Sequence, residues 1–136
     1  MPTKSYLREL TYNVLGAAIE VHKVLGPGLL ENIYHQCLSH ELHSRGISFA
    51  SDLSIPVFYK EIEVHTNLKC DLFVDNLLVV ELKAVTKMEP IFEAQILTYM
   101  KLLEAPQGLL INFNTVNIFN QGQKTFVNDF YRFLGE

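Results

Sequence analysis

The chain has 136 residues, with 11 Lys+Arg against 15 Asp+Glu, so no global positive field draws it onto nucleic acid and any such binding needs a local patch. The length suits one domain spanning 1–136, large enough to bury a layered core, and two cysteines, Cys37 and Cys70, make no disulfide framework. No apolar run approaches the roughly 20 residues of a membrane span, and the N-terminus runs straight into an amphipathic pattern, so a cytoplasmic protein with no membrane association is expected.

From Ser5 to Leu25 apolar residues recur at helical spacing as Leu7, Leu10, Val14, Leu15, Ala18, Val21 and Leu25. Gly26-Pro27-Gly28 ends this first helix, because Pro cannot continue the hydrogen-bond ladder and Gly tolerates the left-handed closing conformation. A second helix follows from about Leu29 to Ser44, with Leu30, Ile33, Tyr34, Cys37, Leu38 and Leu42 as its inward stripe. Ile47 to Val64 reads as extended chain interrupted at Pro56, which confines part of it to an edge or an irregular approach. Two short strands then flank Asp75-Asn76. Helical spacing returns from Pro90 to Leu103 through Ile91, Ala94, Ile96, Leu97, Met100 and Leu103. Leu109 to Phe113 is a buried strand, and the tail, through Val116, Ile118, Phe119 and Phe126, adds one or two more before an amphipathic C-terminal turn. The order helix, helix, strand, strand, strand, helix, strand predicts an α/β domain, with helices covering both faces of its sheet.

The chemistry concentrates in the segment Leu68 to Lys83, where Asp71, Glu81 and Lys83 interrupt an otherwise apolar hairpin. Burying a charge costs several kcal/mol, of order, unless it is paired or bound to a metal. Glu81 and Lys83 share a strand face. A three-residue loop, Asp75-Asn76-Leu77, pairs Val74 with Leu78 and sets Asp71 opposite Glu81, whereas a two-residue loop would place the two carboxylates on opposite faces. The first register is the one expected. Two adjacent carboxylates then favour a hard divalent cation, Mg²⁺ or Mn²⁺, with the Leu82 backbone carbonyl as a further ligand and Lys83 beside the attacking water. The plainer alternative is an ion pair within the sheet.

Glu31 and Tyr34 stand one turn apart at the start of the second helix, and Gln95 and Tyr99 one turn apart on the third. Each of these acidic and polar residues can support the site, or simply complement a helix end or face solvent. His35, Cys37, His40 and His43 spread around one helix without a clean i, i+4 pair, which argues against zinc. His22 is expected to hydrogen-bond toward the site or to pack in the core. Lys60, Lys69, Lys83, Lys87 and Lys101 are the candidate basic patch.

Gly28-Leu29-Leu30-Glu31-Asn32-Ile33-Tyr34 resembles the signature of the GxxExxY proteins. The likeness extends through His22, Leu25 to Gly28, Phe58-Tyr59-Lys60, Asp71-Leu72, Val80 to Val85, Ala94-Gln95 through Tyr99, and Gly108 to Phe113. That family is similar to a compact branch of the PD-(D/E)XK nucleases, with Cys70 where the superfamily often has proline. The resemblance implies a restriction-endonuclease-like core, a mixed central sheet flanked by helices. It implies Asp71 and Glu81 as metal ligands, Lys83 as the catalytic lysine, Glu31 as the helical acid, and Gln95 with Tyr99 as the motif behind the site. The expected activity is Mg²⁺-dependent hydrolysis of nucleic-acid phosphodiesters; the alternative is a non-catalytic nucleic-acid or protein interaction module on the same fold. One small acidic domain offers little area to hold a duplex, which makes a homodimer plausible.

Overall fold

The apolar stripe of the first segment folds as predicted into α1 (Lys4–Leu25), with Leu7, Leu10, Val14, Leu15, Ala18 and Val21 all buried. Thr3 caps it by accepting the Tyr6 N–H, and Gly26 closes it at φ 71°. The computed structural model describes residues 2–136. After the turn, α2 (Glu31–Ser44) buries Tyr34, Leu38 and Leu42. Leu30, expected in that stripe, is 72% exposed because it is the extended N-cap residue and never joins the helix. Tyr34 fastens the turn. Its hydroxyl donates to Gly26 O at 2.6 Å and accepts from Leu29 N at 3.1 Å, while its ring stacks on Phe113 at 4.4 Å between centroids.

The remaining elements are β1 (Phe49–Ser54), β2 (Val57–Tyr59), β3 (Ile62–Val64), β4 (Lys69–Val74), β5 (Leu78–Lys83), α3 (Pro90–Leu102), β6 (Gln107–Asn112), α4 (Ile118–Gln121), β7 (Gln123–Val127) and α5 (Asp129–Arg132). Five strands form one mixed sheet in the order β1-β4-β5-β6-β7, with β5 and β6 parallel and the other pairs antiparallel. The β4–β5 hairpin therefore lies inside the sheet, as its apolar sequence requires. The expected extended stretch between α2 and that hairpin is three strands instead of one. β1 joins the sheet edge, Pro56 interrupts it, and β2 and β3 turn back through Lys60 at φ 55° as a separate two-stranded unit. In the tail only β7 is a strand; Ile118 and Phe119 fall in the short α4, capped by the Asn117 side chain on Asn120 N.

One face of the sheet, carrying Leu72, Val74, Leu78, Val80, Leu82, Leu109 and Ile111, packs beneath α1 and α2. The other, with Phe73, Val79 and Leu110, packs beneath α3 through Ile96, Tyr99 and Met100. Ile91 and Leu97, read as part of that stripe, are 66% and 41% exposed and lie on the outer side of α3. This helix sits so close that a Cβ on Gly108 would stand 2.7 Å from Met100 Sδ. Among the described residues no helix is long and apolar enough to cross a membrane.

Removing the Tyr34 hydroxyl leaves the Gly26 carbonyl and the Leu29 N–H without their partner. Tyr34→Phe should lower unfolding stability by about 1–3 kcal/mol, read as a lower urea midpoint with an unchanged denaturant slope.

Candidate metal centre at the β4–β5 hairpin

Asp75 and Asn76, both at positive φ (54° and 55°), turn the hairpin, and Leu77 N bonds Val74 O at 3.0 Å. Pairing runs Val74 with Leu78, Phe73 with Val79 and Leu72 with Val80. This is the three-residue-loop register, and the next position along it sets Asp71 beside Glu81. There the main-chain ladder gives way to side chains. Asp71 N donates to Glu81 Oε2 at 2.8 Å, and Leu82 N donates to Asp71 Oδ2 at 2.8 Å. Each carboxylate thus takes a main-chain N–H from the opposite strand, which locks both side chains in place. Leu82 enters the site through its N–H.

Glu81 is only 5% exposed and Asp71 is half-buried. Burial first, and then the Asp71 charge, push the Glu81 carboxyl up to about 8, with the hydrogen bond from Asp71 N and the Lys83 charge offsetting only part of the rise. Asp71 is raised too, first by burial, against the opposing hydrogen bond from Leu82 N. Glu31, the first residue of α2, is raised by burial and then by Asp71, with Lys83 and His35 pulling the other way, which places it in the same electrostatic neighbourhood. Tyr99, 6% exposed on α3, is raised by burial and next by Glu81 and Asp71. Cys70, buried beside the pair, is pushed up by burial and both carboxylates, so its thiol stays protonated and inert.

No salt bridge closes on this group. The four ion pairs among the described residues involve neither Asp71, Glu81 nor Lys83. The ion pair within the sheet, the plainer expectation, is therefore not formed. Lys83 instead holds its ammonium 4.4 Å from the centre of the Phe92 ring on α3, a cation–π contact. Its main chain is held firmly: Phe113 N donates to Lys83 O at 2.9 Å, and the buried Asn112 side chain clamps Val85 from both sides, accepting from its N–H and donating to its carbonyl. Sequence reading gave Asn112 no role; its signal was a buried amide at the end of an apolar strand.

Gln95 lies half-buried one turn before Tyr99. Tyr34 and His22 are not brought to the carboxylates. Tyr34 secures the turn ahead of Glu31, and His22 Nε2 is 2.8 Å from Thr115 O, beside Phe113. The histidines do not gather on their own helix, but His35, one turn after Glu31, reaches across to Asp52 of β1 and Asp71 of β4. The three offer donor atoms all within 4.8 Å of one another. That group was invisible to a reading that sought partners for His35 only within its own helix.

Carboxyl oxygens brought together in a largely buried place without a salt-bridge partner fit a hard divalent cation, and the adjacent imidazole widens the donor set. A mixed sheet flanked by helices, with an acidic pair on neighbouring central strands and a lysine two residues beyond the second acid, is a restriction-endonuclease-like arrangement. The chain belongs to the PD-(D/E)XK nuclease superfamily, whose family model matches residues 8–126. No curated protein and no solved structure matches the chain.

The raised Glu81 carboxyl makes the metal-free protein pH-sensitive. The folded chain keeps this proton up to about pH 8, the unfolded chain only to the ordinary carboxylate value of 4.5. The group therefore favours folding in acid, and that contribution is lost as pH rises between the two values. The melting temperature of metal-free wild type should fall from about pH 5 to about pH 8, and Glu81→Gln, which cannot ionise, should flatten the fall and melt higher at about pH 8. Calorimetric melts in chelator check both.

Proposed function

We propose that the protein is a divalent-metal-dependent nuclease that hydrolyses phosphodiester bonds, within the GxxExxY branch signalled by Gly28, Glu31 and Tyr34. The observation that carries this reading is the Asp71–Glu81 pair, held by reciprocal main-chain hydrogen bonds and without a salt-bridge partner among the described residues. Mg²⁺ or Mn²⁺ held by Asp71 and Glu81 would supply Lewis-acid stabilisation of charge developing on phosphate. Glu31 adds negative charge on the helix side and favours retention of the cation. Lys83, free of any carboxylate partner, swings from the Phe92 ring to orient a water or to neutralise phosphoryl oxygen charge. Gln95 and Tyr99 back the site from α3, with the Tyr99 hydroxyl protonated and available to donate.

Nucleic acid would be met through local positive charge alone, from Lys60, Lys69, Lys87 and Lys101, and two copies of the chain would enlarge that contact. A second reading, an interaction module on the same fold, draws support from the β2–β3 unit. It exposes Phe58, Tyr59 and Ile62 at 63%, 63% and 65% beyond the main sheet.

Cleavage of single- and double-stranded DNA and RNA with Mg²⁺ or Mn²⁺ separates the two. Glu81→Ala and Lys83→Ala should each lower the rate roughly 100- to 1000-fold, with Lys83→Ala retaining metal binding. Activity unchanged in Glu81→Ala would sink the nuclease reading.

A further inference from the structure

The pairing of β1 with β4 contains one gap. The register runs from Phe49 opposite Val74 to Ser51 opposite Leu72, and resumes with Leu53 opposite Cys70. The skipped position is Asp52 opposite Asp71, and Asp52 stands there at φ 52°. Asp tolerates this conformation better than most side chains, yet nothing in a hairpin turn calls for it at mid-strand. Its consequence is chemical. The Asp52 carboxylate, the Asp71 carboxylate and the His35 imidazole converge with donor atoms within 4.8 Å of one another. The His35 ring is also held by Ser51, its Nε2 lying 2.8 Å from Ser51 Oγ.

An open cleft of about 490 Å³ leads to this group, lined by Asn32, His35, Gln36, Ser39, Ser51 and Asp52. All six lining residues are of polar type, and the buried Ser39 Oγ has no hydrogen-bond partner among the described residues. A solvated ion can approach from this side without passing Glu81, which is buried on the hairpin's other strand.

We propose that His35, Asp52 and Asp71 form a second cation site, selective for a divalent first-row transition ion such as Mn²⁺ over Mg²⁺, and sharing Asp71 with the Asp71–Glu81 pair. The donor set decides the preference: one imidazole nitrogen with two carboxylates suits transition ions, whereas Mg²⁺ takes oxygen and retains its waters. Donors around one such ion stand about 3 to 3.5 Å apart, so the three side chains need close by only an ångström or so on binding. A carboxylate bridging two ions is the arrangement in which paired metals flank a phosphoryl group at roughly 3.5–4 Å separation. The site deepens the nuclease reading through the shared Asp71, but Asp52 and His35 belong to it alone.

Mn²⁺ titration of the full-length chain, followed by electron paramagnetic resonance with pulsed detection of ¹⁴N coupling, tests this directly. Wild type should take up two ions per chain, one of them coupled to nitrogen. His35→Gln and, independently, Asp52→Asn should each reduce the count to one and abolish the coupling, with Mg²⁺ binding by calorimetry unchanged. Both positions lie at the surface or half-buried, and a thermal melt checks that each variant is folded. Absence of ¹⁴N coupling in wild type, or its persistence in His35→Gln, overturns the site. Glu81→Gln keeps the two ideas apart. Should it leave every bound ion in place while His35→Gln removes the nitrogen-coupled one, the second site stands and the Asp71–Glu81 reading fails.

Discussion

The site depends on an exchange of hydrogen-bond partners at one end of the β4–β5 hairpin. Two strands in register would ordinarily continue their main-chain ladder past Leu72 and Val80. At Asp71 and Glu81 the carboxylates replace the carbonyls, each taking an N–H from the opposing strand. The exchange satisfies two main-chain donors, as a folded interior demands, and in the same step fixes two carboxyl side chains next to each other. The rest of the architecture serves this point. α2 brings Glu31 and His35 over it, α3 brings Tyr99 and the ring of Phe92, and β6 holds the Lys83 main chain.

Such a concentration of charge is electrostatically unfinished. Burial and mutual repulsion raise the carboxyls, and no arginine or lysine closes on them. A protein that required only stability would fill these positions with apolar residues of similar size, since a buried ion pair seldom exceeds a hydrophobic replacement in stability. Retaining two adjacent acids without an ion pair makes sense where a cation completes the group, as the proposed function requires.

Much of this was legible in the chain because the informative residues are local. The hairpin register followed from a loop length, and the α1 stripe from helical spacing, which the buried set from Leu7 to Val21 reproduces. What escaped was non-local or lay at ends of elements. Leu30 and Ile91 fit a helical period yet face solvent, because a period says nothing about where capping begins or which side of a helix finds a neighbour. The division of the segment between α2 and β4 depended on Pro56 and on the positive φ of Lys60, of which only the proline shows in sequence. His35 and Asp52 are separated from Asp71 by a helix and a strand pairing, and no spacing rule links them. Had the β1 register been inferred, its arithmetic would have put Asp52 opposite Asp71.

The resting place of Lys83 on Phe92 bears on how quickly the lysine can be recruited. A cation–π contact of about 1 kcal/mol holds a side chain on the ring roughly five-sixths of the time. The remaining fraction is spent elsewhere, and exchange between such rotamers takes picoseconds to nanoseconds. Lys83 thus rests clear of the carboxylates, yet is never held on the ring for longer than a rotamer's lifetime. Phe92 acts as a berth, and the lysine's shuttling from it is too fast to set the pace of any chemistry.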